Sequence, residues 1–390
     1  KSPKYKKSLT QKKSMTLFSW EGDVDTIMSP RDSVIYNKFF LHTGVMSMDP
    51  NTGYVKAYVG GINHKYFQYD HVLQGARQVG STFKPFLYSL AIQEGMEPCQ
   101  TILNSPIIFN KEKWNLSKDW IPSNASSEFD GLNLPLKFGL ANSINIMTAA
   151  IMHEYGPHSV VDITRKMGVT SNLEASPSIC LGTFDMTVKE ITAAYSTFVN
   201  QGVYTEPIFI TKITDKNGIV LEDFSSKTKE ALNEKTAAIM VNLLKGVVTG
   251  VYNKDVADKS ERNIGTRGTG MSLRSKFNIK AEIGGKTGTT QNYSDGWFVG
   301  IAPNLVTSVW VGCEDRSAHF NNYKGYGSYT ALPIFGKFMR YIYDDKTIKE
   351  ITEKDRFKYS SAQIKNYVDF KMNCNHTEFI NTEEPEDEEF

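Results

Sequence analysis

Residues 75–95, GARQVGSTFKPFLYSLAIQEG, impose the tightest demand in the chain. Pro85 has no N–H to give to a helix interior, so a helix here must begin within a residue or two of Ser81. Phe83, Phe86, Leu87, Leu90 and Ala91 then form an apolar stripe, and Gly95 is placed to end the helix. The helix is therefore bound for a core, yet Lys84 sits in its first turn, three residues after Ser81. A helix N-terminus carries roughly +0.5 of a charge and disfavours an ammonium there. Burial pushes a lysine further toward its neutral form. A neutral amine next to a hydroxyl at i, i+3 is the arrangement of an activated nucleophile. The same helix end offers backbone N–H groups to an oxyanion. A Ser-x-x-Lys spacing alone arises often by chance, so its weight depends on what accompanies it.

Two further stretches accompany it. ANSINIM (141–147) holds Ser143 and Asn145, which at i, i+2 can point together only from a loop or extended turn. Taken alone, this stretch reads as the N-cap of a helix over 145–155. Taken as chemistry, Ser143 relays a proton and Asn145 holds a substrate amide. GGKTGTTQNYSDGWFVG (284–300) places Lys286, Thr287, Gly288 and Thr289 ahead of a hairpin. Thr287 and Thr289 share a strand face that suits a carboxylate, Gly288 permits close approach of a backbone or ligand, and Lys286 adds positive potential against a protonated Lys84. Taken alone it would be an edge strand with a solvated lysine.

The pattern along the chain predicts an α+β fold. GVMSMDPNTGYVKAYVGG (44–61) is a hairpin turning at Asp49–Gly53, IFITKITDKNGIVLED (208–223) a second turning at Asp215–Gly218, and GWFVGIAPNLVTSVWVG (296–312) a third around Pro303-Asn304. Helical periodicity covers about 145–155, 158–167, 187–200, 233–248 and 331–344. Strands at both chain ends with helices between them imply a central antiparallel sheet with helices on both faces and an all-helical subdomain. Residues 250–282 read as a surface excursion. Residues 1–34 read as a linker remnant, 35–345 as the folded domain, and 346–390 as a polar, acidic tail expected to be disordered. Lys rather than Met at position 1 points to a fragment or processed piece.

Bulk properties exclude some classes. The net charge of +1 argues against nucleic acid as a partner, and no apolar run reaches the ~18–20 residues of a membrane span. Cys99, Cys180, Cys313 and Cys374 have no metal-ligand spacing, so no metal site is expected. Buried free thiols are the expectation, with a Cys99–Cys180 disulfide as the alternative in an oxidising compartment.

The order S-x-x-K, S-x-N, K-T-G-T is related to the motif set of penicillin-binding proteins and class A β-lactamases. With MDPNTGYVKAYVGG, RQVGSTFKPFLYSLA, SINIMTAAIM and PSICLGTFDMTVKEITAAYSTFVNQG beside it, the chain from about 14 to 345 resembles the transpeptidase domain of a class A, bifunctional penicillin-binding protein, in versions from Bacteroidetes-type bacteria. The resemblance implies that Ser81 is acylated, that Lys84 takes its proton, and that Ser143 passes the proton to a leaving D-alanine. It implies that Asn145 binds the donor peptide, that Lys286, Thr287 and Thr289 orient its terminal carboxylate, and that the N–H groups of Ser81 and Thr289 form an oxyanion hole. The implied reaction cross-links peptidoglycan stem peptides without a cofactor, and β-lactams would trap Ser81. It further implies a periplasmic location and a membrane anchor and glycosyltransferase domain that this stretch lacks. A D,D-carboxypeptidase, a β-lactamase and a non-enzymatic β-lactam sensor share the motifs. The lactamase needs a deacylating base that no E-x-x-x-N-type segment after Ser143 supplies.

Overall fold

The structure, a computed structural model, describes residues 2–259 and 265–374. Its centre is a five-stranded antiparallel sheet of β1 (Leu41–Met48), β2 (Val55–Val59), β3 (Gly284–Thr289), β4 (Asp295–Ala302) and β5 (Leu305–Cys313). The spatial order is β3-β4-β5-β1-β2, so strands from both ends of the chain meet at the β5–β1 pair, with Ser308 opposite Met46. Pro303-Asn304 forms the two-residue link between β4 and β5.

Alternation along the strands feeds two cores. Met46, Met48, Trp297, Val299, Ile301, Val306 and Trp310 face one core; Val45, Phe298, Ala302, Val309 and Val311 face the other. Helices organise around them, chief among them α1 (Lys84–Gln93), α2 (Leu136–Ala141), α3 (Asn145–Lys166), α4 (Val188–Val199), α5 (Glu234–Thr249), α6 (Ala331–Asp344) and α7 (Ala362–Met372). The first core is closed by α4 and the helices stacked beyond it, the second by α6. Helices thus cover both faces, and α1, α2, α3 and α5 pack on one another as a helical layer. α3 breaks at Gly156, where φ is 75°, which separates the two helical patterns expected from the sequence. β2 is one of the two end strands, is only half-buried at Val55 and Ala57, and meets Ile208 at its start, where Val55 N donates to the Ile208 carbonyl at 3.0 Å.

α1 departs from the expected stripe. A 3-10 turn at Gly80–Phe83 leads into it, and every residue from Lys84 to Ile92 is buried. It is a central helix, surrounded on all sides, which a helix apolar around most of its circumference favours.

Three expectations are corrected. The tail is not disordered from 346: Phe357 and Val368 are buried, and α7 packs on α5. A few apolar residues spaced along a polar segment are enough to seat it. Residues 375–390, the most acidic part of that expected tail, lie outside the described residues. The cysteines differ as well. Cys99 pairs with Cys374 across 275 residues, whereas Cys180 and Cys313 are buried free thiols, as the sequence reading expects. Finally, 250–282 is not all surface: Leu273, Ile279 and Ala281 are buried in the second core. Residues 260–264 of that stretch lie outside the described residues.

Closing so long a loop restricts the unfolded chain, and losing such a bond typically costs about 2–5 kcal/mol. Cys374→Ser is expected to lower the melting temperature in thermal unfolding. Reductant should bring the unsubstituted protein to the same melting temperature and leave the variant unchanged.

Candidate active site

The three stretches singled out in the sequence converge. Ser81, Ser143, Asn145, Thr287 and Thr289 line one cleft of about 760 Å³, together with Thr269, Tyr293 and Tyr326. Ser81 stands on the 3-10 turn, whose close approach to β3 depends on two glycines. Gly80 has φ +53°, and a Cβ there would lie 2.8 Å from the Thr289 carbonyl oxygen. A Cβ on Gly288 would lie 2.7 Å from Thr82 Cγ2 and 2.9 Å from the Val79 carbonyl oxygen. The nucleophile's turn and the K-T-G-T strand therefore touch backbone to backbone. Trp297 Nε1 donates to the Gln78 carbonyl (2.9 Å) and Tyr195 OH to the Thr82 carbonyl (2.5 Å), holding the turn from both sides.

Lys84 is wholly buried. Its amine donates to the Ser143 carbonyl oxygen and to Asn145 Oδ1, each at 2.6 Å. Burial pushes its pKa down to about 7. A neutral amine has two hydrogens and one lone pair. With both hydrogens committed to carbonyl oxygens, the lone pair is left free to accept a proton.

Ser143 takes a positive φ of 57°, so its carbonyl turns toward Lys84 while its side chain lines the cleft. This matches the loop geometry that the Ser143/Asn145 spacing requires. Ser143 is not the cap of α3, however. Ile144 occupies the N-cap position, and the first N–H groups of α3 are met by Asn124 Oδ1, at 3.0 Å from Asn145 N and 3.1 Å from Ile146 N. Asn145 Nδ2 donates to the Ser123 carbonyl at 2.8 Å.

Lys286 is also wholly buried, and its amine donates to the Thr287 carbonyl at 3.0 Å. It lies well below a lysine's ordinary pKa, chiefly through burial and then through repulsion from Lys84. The two amines disfavour each other's charge, because two amines this deep cannot both carry it. Thr287 Oγ1 donates to Thr269 Oγ1 at 2.8 Å, and Thr289 Oγ1 accepts from Gly327 N at 3.0 Å.

Several contributors escaped the sequence reading. Thr269 sits in the stretch assigned to the surface. Tyr293 and Tyr326 meet edge to face at 5.3 Å along the cleft. Below the cleft Asp295 is fully buried, accepting from Trp310 Nε1 (2.9 Å) and Ser294 Oγ (2.9 Å). Arg77 Nη1 lies 3.8 Å and Arg316 Nε 3.7 Å from its carboxylate. Arg77 also lies over the Trp310 ring and donates to the carbonyls of Cys313 and Glu314. This network joins the segment leading to Ser81 to the hairpin that follows Thr289.

A serine hydroxyl, a neutral buried amine and hydroxyl-bearing threonines facing one cleft are the equipment of an acyl-transfer centre. Comparison with known proteins gives the family of the chain. The family described as the penicillin binding protein transpeptidase domain matches residues 43–340, and the penicillin-binding protein middle domain matches 2–41, most of which the sequence reading expects to be linker. Penicillin-binding protein 1A of Aquifex aeolicus is 34% identical over 77% of this chain and 38% of its own length. That of Rickettsia conorii is 30% identical over 86% and 42%. Penicillin-binding protein 1A from Haemophilus influenzae superposes with a TM-score of 0.69 at 24% identity, covering 80% of this chain and 49% of that one. PonA1 from Mycobacterium tuberculosis in complex with penicillin V gives 0.61 at 23%, covering 92% and 91%. The chain belongs to the penicillin-binding protein transpeptidase family. It spans about two-fifths of the length of the curated relatives named here.

Removing one partner from a buried ion pair strands the other, at a cost of about 3–5 kcal/mol. Asp295→Ala is therefore expected to lose about that much stability in urea unfolding, more than Asp185→Ala, which removes only the exposed partner of Arg316.

Proposed function

We propose that this chain carries the D-Ala-D-Ala transpeptidase activity of a class A penicillin-binding protein, with Ser81 as nucleophile. Ser81 Oγ attacks the carbonyl carbon of the peptide bond between the two D-alanines, and its proton passes to the lone pair of Lys84. The backbone N–H groups of Ser81 and Thr289 receive the oxyanion. The C–N bond breaks, and the departing D-alanine nitrogen takes the proton back from Lys84 through the Ser143 hydroxyl. An amine of a second stem peptide then attacks the ester, loses its proton by the same route, and frees Ser81. Thr287 and Thr289, with Lys286 behind them and Gly288 giving the approach, hold the donor's terminal carboxylate. Asn145 steadies the donor peptide and the amine of Lys84.

The observation that carries this reading is the Lys84 amine, sealed from water, with both hydrogens on carbonyl oxygens. A second supports the choice among rivals. Among the described residues lining the cleft none is Asp, Glu or His, so no side chain there stands ready to activate water against an acyl-enzyme. That favours a long-lived penicillin adduct over a β-lactamase. Peptidoglycan stem peptides and β-lactams are the partners this reading entails, and the penicillin V bound to PonA1 supports the second. The same reading includes a cell-envelope, periplasmic location with a membrane anchor and a glycosyltransferase domain elsewhere in the longer protein, residues 1–34 as the connection to it, and an origin in Bacteroidetes-type bacteria. The disulfide supports an oxidising compartment. Among the described residues no helix is long and apolar enough to cross a membrane.

Ser81→Ala should abolish covalent labelling by a fluorescent penicillin, and mass spectrometry of the unsubstituted protein should map one adduct to Ser81; labelling that survives the substitution refutes the assignment. Lys84 works as a base only when neutral, so acylation should rise about tenfold per pH unit below its value near 7 and level off above it. Lys84→Ala should cost about 10²–10⁴-fold across the profile.

A further inference from the structure

Asn124 lies in the loop between the first and second helical segments of the middle region, WIPSNASSEF, with no motif around it to mark it. Its side-chain amide uses every hydrogen-bonding position it has. Oδ1 accepts from the backbone N–H groups of Asn145 and Ile146, at 3.0 and 3.1 Å. Nδ2 donates to Asn104 Oδ1 at 2.9 Å and to Asp130 Oδ1 at 2.8 Å. An amide has two lone pairs and two hydrogens to offer, so this set is complete. It also fixes which way the amide faces, because a flipped group would set N–H against N–H. Asn104, its anchor, is fully buried and is itself tied by Nδ2 to the Phe129 carbonyl at 2.7 Å.

The consequence reaches Lys84 in two steps. Asn124 supplies from another segment the cap that α3 lacks, since Ile144 has no side chain able to bond the first N–H groups. The neighbouring Ser123 carbonyl takes Asn145 Nδ2, which forces Asn145 Oδ1 toward the Lys84 amine. Residues 123 and 124 thereby clamp the backbone and the side chain of Asn145 together.

We propose that Asn124 is a positioning residue for acyl transfer: by clamping the start of α3 it holds Asn145 Oδ1 on the Lys84 amine, so that the amine's remaining lone pair faces the Ser81 hydroxyl. This rests on the reading of Lys84 as the base. Asn124 does not itself line the cleft, although Ala125 beside it does. Its loss should therefore slow the chemical step and leave noncovalent affinity for a β-lactam in place.

The test is the kinetics of acylation by a fluorescent penicillin, resolved into a dissociation constant, a rate constant at saturation and a final labelling stoichiometry. Asn124→Ala is expected to lower the saturating rate constant by roughly 10–100-fold, since small displacements of a reacting group are that costly. The dissociation constant should stay within about twofold, and labelling should still reach the stoichiometry of the unsubstituted protein. Asn124→Asp combined with Asp130→Asn keeps an acceptor for both N–H groups at a helix N-terminus and sets an amide donor in place of the Asp130 carboxylate, so this pair should recover to within about threefold. A saturating rate constant unchanged in Asn124→Ala overturns the proposal, as does a loss confined to stoichiometry, which is what a merely structural role would give. Should Asn124→Ala fail to fold, Asn124→Ser is compared with the Asn124→Asp, Asp130→Asn pair, and equal rate constants in the two overturn it. Lys84→Ala is measured alongside. If it acylates normally, the reading of the base fails; if it is inert while Asn124→Ala is normal, only the role of Asn124 fails.

Discussion

Two lysine amines buried close enough to repel each other, each donating to carbonyl oxygens, govern this site. Neutralising an ordinary lysine, of pKa 10.5, at pH 7 costs about 5 kcal/mol. Burial of α1 imposes that cost at Lys84, and a fold of this size can absorb it only because the surrounding core is extensive. The all-round burial of α1 is thus a condition of the chemistry as well as of stability. An α1 packed on one face only would let water reach Lys84 and restore its charge.

That condition explains the architecture around the cleft. The helix carrying Ser81 and Lys84 is central, the strand carrying Thr287 and Thr289 is the sheet's end strand, and the turn carrying Ser143 and Asn145 opens a long helix packed against α1. Each motif rests on a different element, and each element is fixed from behind by buried polar contacts. Asp295 with Arg77 fixes the sheet side, and Asn124 with Asn104 fixes the helical side. The cleft wall itself is left to hydroxyls, amides and two tyrosines, groups that can contact a peptide without competing for the lysine's proton.

Much of this was legible in the sequence, because the relevant physics is local. Proline at a helix start, glycine in tight turns and the alternation in GWFVGIAPNLVTSVWVG each announce an element within a few residues. The motif residues Ser81, Lys84, Ser143, Asn145, Lys286, Thr287, Gly288 and Thr289 all reach one place. What escaped is long-range. Asn124 caps a helix 21 residues further on, and nothing in WIPSNASSEF distinguishes it from an ordinary polar loop. Asp295 meets Arg77 across 218 positions, and nothing in the residues around it points to a partner so far away. Cysteine pairing has no local signature at all. The segment after 346 was misread because composition averages over it, whereas packing needs only Phe357, Val368 and a few half-buried neighbours in the right places.

The Cys99–Cys374 bond changes where the end of the chain is mechanically attached. Position 99 follows α1 by six residues, 99 less 93. A load pulling on whatever follows residue 374 is delivered to the loop just behind the nucleophile's helix, and α7 is bypassed. The C-terminus is in this sense a tether on α1, and a fusion or surface attachment made there would tug at the active site's own support.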